Sequence, residues 1–368
     1  MSPVLYWLSF SLHLSVLRRH NSPLFQAGGN KTATIGEQIG ITNVTIHYSR
    51  PGVKKRDGHI WGELIPVGYV DQGFGPSKSA PWRAGANEST TIEFSTNVKV
   101  EGQPLAAGKY GLFIAYDPHE STLIFSKNST SWGSFFYKPE EDALRVKVKP
   151  TPADKSVEWL KYEFADQTPG SAVVQLQWEK LVIPFKIDVD EVNTQLESFR
   201  KELRTDKGFN WESWDQAATY CAQNKTNLDE ALLWTDTATS VNFGGNKSFQ
   251  ALSTKAMVLD AMGRSTEAAD AMKKALPYGE VNDLHQYGRK LIGQKKSKEA
   301  LEIFKMNYSK NPKIFTTNMG MMRGYSAVGD YKKALTYSQK AKDLAPNKPN
   351  KDAVENAIKA LQDGKDMN

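Results

Sequence analysis

Residues 181–200 read LVIPFKIDVDEVNTQLESFR, and the spacing of apolar side chains changes in the middle of this stretch. Up to Val189 the apolar residues fall on alternate positions, which is typical of a β-strand with one buried face. After about residue 190 they recur at intervals of three and four, as in amphipathic helices. The sequence therefore predicts an α+β chain: an antiparallel β-sandwich over residues 30–190, then an α-helical repeat domain over 195–362.

Upstream of residue 181 the same alternation recurs in short segments. They cover residues 44–48, 92–94, 98–100, 110–116 and 144–148. Turn residues separate them, among them Pro51-Gly52 and Thr168-Pro169-Gly170. Short strands without helices between them favour a sandwich or a barrel built from antiparallel strands.

Downstream, small residues recur with a long period. Ala268, Ala300 and Ala334 are 32 and 34 residues apart, and the last copy reads GDYKKALTYSQKAKDLAP over 329–346. This copy resembles a tetratricopeptide repeat, in which Gly ends the first helix, Ala allows the helices to cross closely and Pro stops the second helix. A plain helical bundle is the alternative, and the residues from Gly364 onward are expected to fray.

The composition excludes several classes of protein. The 368 residues include one cysteine, Cys221, so a disulfide framework and a cysteine-rich zinc site are both excluded. The net charge of +6 is spread over short runs of Lys and Arg without a groove-fitting or base-stacking motif. We therefore expect no nucleic-acid partner.

The first residues contain one strongly apolar run, residues 4–17. This run is too short to span a bilayer, but its length suits the central region of a secretion signal. We expect residues 1–29 to be a signal-like leader, unstructured or cleaved, and the protein to be periplasmic or secreted. An uninformative leader or a misassigned start codon is the alternative, and no later segment is predicted to cross a membrane.

Several motifs over residues 30–190 resemble a family of exported bacterial proteins, the domain of unknown function numbered 2911. The motifs are ITNVTIHYSRP (41–51), IWGELIP (60–66), WRAGANE (82–88), LAAGKYGL (105–112) and WGSF (132–135). The resemblance implies an exported β-rich domain, and a tetratricopeptide-like region commonly accompanies it. It assigns no catalytic residues.

The segment from Arg83 to Glu88 is the most suggestive candidate site. An Arg fork near a carboxylate is suited to an acidic, sugar or peptide ligand. The candidate ligand-binding residues are Tyr48, Arg50, Trp82, Arg83, Asn87, Glu88 and Trp132. The alternative is structural, with Arg83 and Glu88 forming a buried pair that ties loops to the sandwich.

We expect no metal and no cofactor. His47 and His59 lack the spacing of metal ligands, and the loop before Lys78 lacks the Gly of a phosphate-binding loop. Cys221 is interpreted as a packing residue, and His285 as a surface residue. No catalytic residue is assigned.

The sequence as a whole predicts an exported binding protein of the cell envelope. The β domain would hold a ligand or partner, and the helical repeats would contact another protein. The alternative is a hydrolase that uses Glu88 as its acid–base group and Arg83 to hold an anionic group.

Overall fold

The computed structural model describes residues 30–368. The chain divides into two compact units, and the division falls between Gln195 and Leu196. The expected leader, residues 1–29, lies outside the described residues.

The first unit consists of two antiparallel sheets. The six-stranded sheet contains, in spatial order, β1 (Lys31–Ile39), β2 (Thr42–Arg50), β3 (Thr90–Phe94), β6 (Gly108–Ala115), β7 (Ser121–Ser126) and β8 (Asp142–Val148). The four-stranded sheet contains β5 (Gln103–Leu105), β4 (Val98–Val100), β10 (Ser171–Asp188) and β9 (Thr151–Thr168). Both sheets contribute side chains to one core, which confirms the predicted sandwich.

The alternating residues form that core. Val44 and Ile46 of β2 are fully buried, and so are Ile183 and Ile187 of β10. Each such side chain contributes about 1.5–3 kcal/mol relative to an exposed one. The strand around Leu112 is buried on both faces.

The long hairpin of β9 and β10 is the main element that the sequence pattern did not predict in full. Each strand has 18 residues, and the Pro169-Gly170 turn joins them. Most of β9 is exposed, with only Leu160 and Tyr162 buried. A strand with so few buried side chains has no apolar alternation to detect.

The second unit is helical. Its elements are α1 (Glu191–Glu202), α2 (Trp211–Asn224), α3 (Leu228–Ala238), α4 (Phe249–Ala261), α5 (Ser265–Ala275), α6 (Val281–Gly293), α7 (Ser297–Lys310), α8 (Phe315–Ala327), α9 (Tyr331–Asp343) and α10 (Lys348–Gln362). Helices α4, α6 and α8 begin 32 and 34 residues apart, and so do α5, α7 and α9. This spacing confirms the predicted repeat of helix pairs.

The small residues lie where the helices of a pair cross. Ala300 and Ala334 are fully buried, and Gly263 and Gly329 follow α4 and α8 with φ of +77° and +80°. The last residues lie against α8, where Ser326 donates a hydrogen bond to Asp366, and their fraying stays a prediction. No helix within residues 30–368 is both long enough and apolar enough to cross a membrane.

Candidate functional site

A cleft of about 630 Å³ opens in the β unit. Its volume lies within the range of small-molecule binding sites. The lining comes from the residue before β1, from the segment between β2 and β3, and from β10: Asn30, Pro51, Lys54, Arg56, Leu64, Ile65, Pro66, Gly68, Val70, Gln72, Ala80, Trp82, Arg83, Gly85, Ala86, Asn87 and Trp178.

Three tryptophans pack together at the cleft. Trp82 stacks on Trp178 with their ring centroids 6.2 Å apart, and Trp61 meets both edge-on at 5.5 and 6.0 Å. Aromatic pairs of this geometry contribute about 0.5–1.5 kcal/mol beyond their burial. The cluster gives the cleft an aromatic wall.

The three indole N–H groups differ in their partners. Trp82 donates to the carbonyl oxygen of Gly85 at 3.1 Å, and Trp61 donates to that of Trp178 at 3.4 Å. Trp178 is 1% exposed, and its N–H has no partner among residues 30–368. The side-chain oxygen of Gln72, another lining residue, also lacks one within this range.

A bulge in β10 places Trp178. The register with β9 shifts on both sides of Glu179, whose φ is +51°. Bulges of this kind reorient neighbouring side chains and are frequent beside binding sites. The Glu179 carboxylate accepts hydrogen bonds from the backbone N–H groups of Gly58 and Lys180.

The loop from Arg83 to Glu88 is conformationally strained. Ala84 and Asn87 have φ of +50° and +58°, which costs about 1–3 kcal/mol per residue when the side chain is not Gly. The carbonyl oxygen of Ala84 accepts hydrogen bonds from Tyr162 at 2.8 Å and Thr90 at 3.1 Å. These two buried hydroxyls hold the loop in the strained form.

Arg83 lines the cleft without a carboxylate partner. Its guanidinium donates to the carbonyl oxygen of Asn87 at 2.7 Å and lies 4.9 Å from the ring centroid of Phe135. No ion pair involving Arg83 occurs among the described residues. Burial lowers the pKa of Arg83, because removal from water disfavours the charged form.

The cleft is positively charged. Lys54, Arg56 and Arg83 line it, and the described lining includes no Asp or Glu. Nearby Glu158 accepts a hydrogen bond from the backbone N–H of Lys54, and Arg56 donates to the carbonyl oxygen of Gly52. The neighbouring carboxylates therefore do not neutralise the lining cations through ion pairs.

Three of the candidate ligand-binding residues, Trp82, Arg83 and Asn87, lie together in this lining. Asn87 also accepts a hydrogen bond from Asn30 at 3.3 Å. Their role in binding remains a prediction.

The other four candidates lie outside the lining. Tyr48 is buried, and its hydroxyl accepts the backbone N–H of Tyr162. Arg50 donates to the carbonyl oxygen of Leu160 at 2.9 Å, and Trp132 is 56% exposed. Glu88 accepts a hydrogen bond from Ser49 at 3.2 Å and does not form the suggested pair with Arg83.

The sequence reasoning missed Trp178, Lys54 and Arg56 as cleft residues. Trp178 ends the alternating run Val174-Gln175-Leu176-Gln177-Trp178 in the first half of β10, which the sequence analysis did not single out, and a bulge follows it at Glu179. Lys54 and Arg56 belong to one of the short runs of Lys and Arg, which entered the sequence analysis only through the net charge. Nothing in the sequence of this turn shows that the side chains of Lys54 and Arg56 face the same cleft.

The histidines form no metal site in the described range. No group of three or more His, Cys, Asp or Glu side chains there is arranged to hold a metal ion. His59 pairs with exposed Glu63 at 2.9 Å. The prediction of a surface position for His285 was wrong, because it packs against Phe304 and is 9% exposed.

The helical unit has a groove of its own, of about 680 Å³. Its walls come from α4, α5, α6 and the start of α7. Met257 and Tyr287 give it an apolar floor, while Asp260, Asp283 and Lys290 add charges. Such a groove has room for an extended peptide segment.

Solved structures similar to the chain include proteins with tetratricopeptide repeats, and they match the helical region. YrrB, described as a TPR protein with an unusual peptide-binding site, is 17% identical over 47% of this chain and 87% of its own, with a TM-score of 0.31. MamA is 15% identical over 42% and 88%, with a TM-score of 0.31. MamA from Desulfovibrio magneticus RS-1 is 16% identical over 44% and 92%, with a TM-score of 0.29.

The β unit has a match of another kind. No curated protein matches the chain. Residues 30–187 match the model of the family described as a protein of unknown function, DUF2911, which confirms the resemblance predicted from the motifs.

Proposed function

We propose that the protein is a two-part binding protein, with a ligand site in the β unit and a surface for another protein in the helical unit. The observation that carries the proposal is the cleft around Trp82, Arg83 and Trp178. Its aromatic wall, its mixture of apolar and polar side chains and its volume are those of a small-molecule site.

The lining favours binding over the hydrolase alternative. Among the described lining residues there is no carboxylate, imidazole, thiol or hydroxyl group. General acid–base catalysis needs a group that exchanges a proton within about 3 Å of the reacting atom, and the amine of Lys54 is the one such group in the described lining besides the guanidiniums. Glu88, the suggested acid, lies outside the lining and accepts a hydrogen bond from Ser49.

The groove between α4 and α6 supports the second part of the proposal. Gln286 is exposed in this groove, between the apolar floor and the charged rim. An apolar floor with charges beside it fits a partner segment that is partly buried and partly solvated.

We also propose that the protein works in the cell envelope or outside the cell. The apolar run at residues 4–17 supports this location. A fusion of residues 1–30 to a periplasmic reporter enzyme should be active only when residues 4–17 are present. Equal activity without them would contradict export.

A ligand screen on the full chain tests the cleft. Ligands that bind the folded protein raise its melting temperature, and a concentration of a hundred times Kd adds about 2.7 kcal/mol. Trp82→Ala should abolish the shift given by any cleft ligand, whereas Phe136→Ala, an exposed aromatic outside the lining, should keep it. Equal loss in both variants would contradict a ligand site at this cleft.

Site-directed crosslinking tests the helical groove. A photoreactive residue is placed at Gln286 in the groove, or at Ser309, which is exposed on α7 outside it. We expect one discrete crosslinked partner from position 286 and none from position 309. The same partner from both positions would show that this groove is not the contact surface.

A further inference from the structure

We propose that the ligand of the β-unit cleft is an organic oxyanion, with its charged head beside Arg83 and its apolar body against Trp82 and Ile65. This inference rests on the proposed ligand site and names the chemical class that the site selects. Four features of the described residues support it.

The first feature is the imbalance of charge. Lys54, Arg56 and Arg83 face one cleft whose described lining holds no acidic side chain. Charges of one sign in a cleft with apolar walls focus the field and attract the opposite charge. A cationic or neutral ligand would gain nothing from this arrangement.

The second feature is the state of Arg83. A guanidinium has five N–H donors, and only one hydrogen bond from it occurs within the described range, to the carbonyl oxygen of Asn87. The ring of Phe135 and the backbone of Gly133 hold its plane in place. A fixed fork with free donors is suited to bidentate binding of a carboxylate or phosphate.

The third feature is the unpaired indole N–H of Trp178. Leaving a buried donor unsatisfied costs about 1–3 kcal/mol, and the two neighbouring indoles both have backbone acceptors. An N–H group can be satisfied only by an acceptor, which a ligand oxyanion supplies. Trp178 and Arg83 line the same cleft.

The fourth feature is the apolar part of the lining. Leu64, Ile65, Pro66, Val70 and Ala80 belong to it, together with the face of Trp82. An inorganic anion would leave this apolar surface exposed to water. A ligand with an apolar body would cover it at a gain of about 25 cal/mol per Å².

Calorimetric titration of the full chain with matched probes tests the inference. The probes are hexanoate, octanoate, phenylacetate and naphthylacetate, each paired with its neutral amide. Comparison of phenyl phosphate with the carboxylates shows whether the site prefers a phosphate or a carboxylate head. Comparison of phenyl phosphate with inorganic phosphate shows whether the organic body contributes to binding. We expect at least one organic anion to bind about tenfold more tightly than its neutral counterpart, with affinity falling as salt rises.

Three variants assign the effect to residues. Arg83→Gln should weaken binding of the anion about tenfold and leave that of the amide unchanged, and Trp178→Phe should weaken the anion about threefold or more. Lys109→Gln is the control, because Lys109 is exposed in the same unit outside the lining and its loss changes the net charge equally. Melting curves establish that each variant is folded.

The outcomes separate this inference from the proposed function. Equal binding of acids and amides, with loss in Trp82→Ala, would keep the ligand site and overturn the anion. Equal weakening in Arg83→Gln and Lys109→Gln would overturn the role of Arg83. Binding of inorganic phosphate as tight as that of phenyl phosphate would overturn the apolar body. Failure of every probe would overturn both the inference and the ligand site.

Discussion

The position of Arg83 depends on Gly133, a residue outside the cleft lining. Gly133 has a φ of +60°, and a Cβ atom built there would overlap the guanidinium of Arg83. The carbonyl oxygen of Gly133 also accepts a hydrogen bond from buried Ser89 at 2.7 Å. Gly133 is therefore a positioning residue for the cation of the cleft.

Gly133→Ala should weaken anion binding by displacing Arg83. The control is Gly102→Ala, where φ is +77° but no atom lies within 4 Å of the added methyl group. Both substitutions should cost stability, because Ala tolerates positive φ poorly. Only Gly133→Ala should raise Kd for the anion while Kd for the neutral amide stays constant, and equal affinities in both variants would show that Arg83 does not depend on Gly133.

His285 is a buried titratable group in the helical unit. Burial, together with the positive charges of Arg323 and Arg289, lowers its pKa from 6.5 to about 4. Its Nδ1 has no partner among the described residues. The folded form therefore disfavours the protonated ring, whereas the unfolded chain binds a proton near pH 6.5.

Stability of the helical unit should therefore fall as pH drops from about 6.5 toward 4. Above pH 6.5 the ring is neutral in both states, and below it the unfolded state alone takes up the proton. The difference in pKa corresponds to about 3 kcal/mol in the free energy of unfolding. Denaturant unfolding of the wild type and of His285→Gln over this range isolates the effect, and the same slope in both would contradict it.

At the scale of elements, predictability follows burial. Strands with one buried face and the helix pairs were predicted from their periods, because the core imposes those periods on the sequence. β9 is mostly exposed, so the sequence carried no such trace. Trp178 was missed for another reason. Its strand alternates, but alternation shows only that a side chain is buried, and the bulge at Glu179 depends on how β10 pairs with β9.

The candidate site was predictable in part. The motif from Arg83 to Glu88 drew attention to a loop that lines the cleft, because an Arg fork and a carboxylate lie close together in it. Glu88 was assigned to the same cleft. It directly follows the lining residue Asn87, but its side chain faces Ser49 instead of the cleft. Side chains in a turn do not alternate with a fixed period as those of a strand do. Sequence spacing alone therefore does not show which way they face.

The reactivity of Cys221 in helix α2 reports on the opening of that helix. Cys221 is fully buried, and burial raises the pKa of its thiol to about 11. Since the thiolate is the reactive form, the thiol should react with a disulfide reagent only when α2 opens. The reaction should accelerate in parallel with loss of helical circular dichroism during unfolding.

The control for this measurement is an exposed thiol. In Cys221→Ser combined with Ser309→Cys, the new thiol lies on the surface of α7 and should react at once. Rapid reaction of wild-type Cys221 in the folded protein would contradict the tight packing of α2.

At the scale of the whole molecule, the two units have separate cores. The core of the first unit includes both sheets, and those of the second follow the helix pairs. We expect damage to one core to leave the other folded.

Ala334→Trp should destabilise the second unit alone. Ala334 is 0% exposed where α9 packs against its neighbours, so a large ring costs about 3 kcal/mol or more. This corresponds to a fall of roughly 10 °C in the melting temperature of that unit. Lys332→Trp, at an exposed position of the same helix, is the control, and a single transition that shifts as one would contradict separate unfolding.

The tryptophan cluster has an optical consequence. Trp61, Trp82 and Trp178 lie with ring centroids about 6 Å apart, so their excited states mix. The coupled indoles should give a paired positive and negative band in the ultraviolet circular dichroism spectrum. Trp82→Phe would remove two of the three coupled pairs and leave that of Trp61 with Trp178, so the doublet should weaken. A molecule that binds beside Trp82 would alter its amplitude, so occupancy can be followed without any dye.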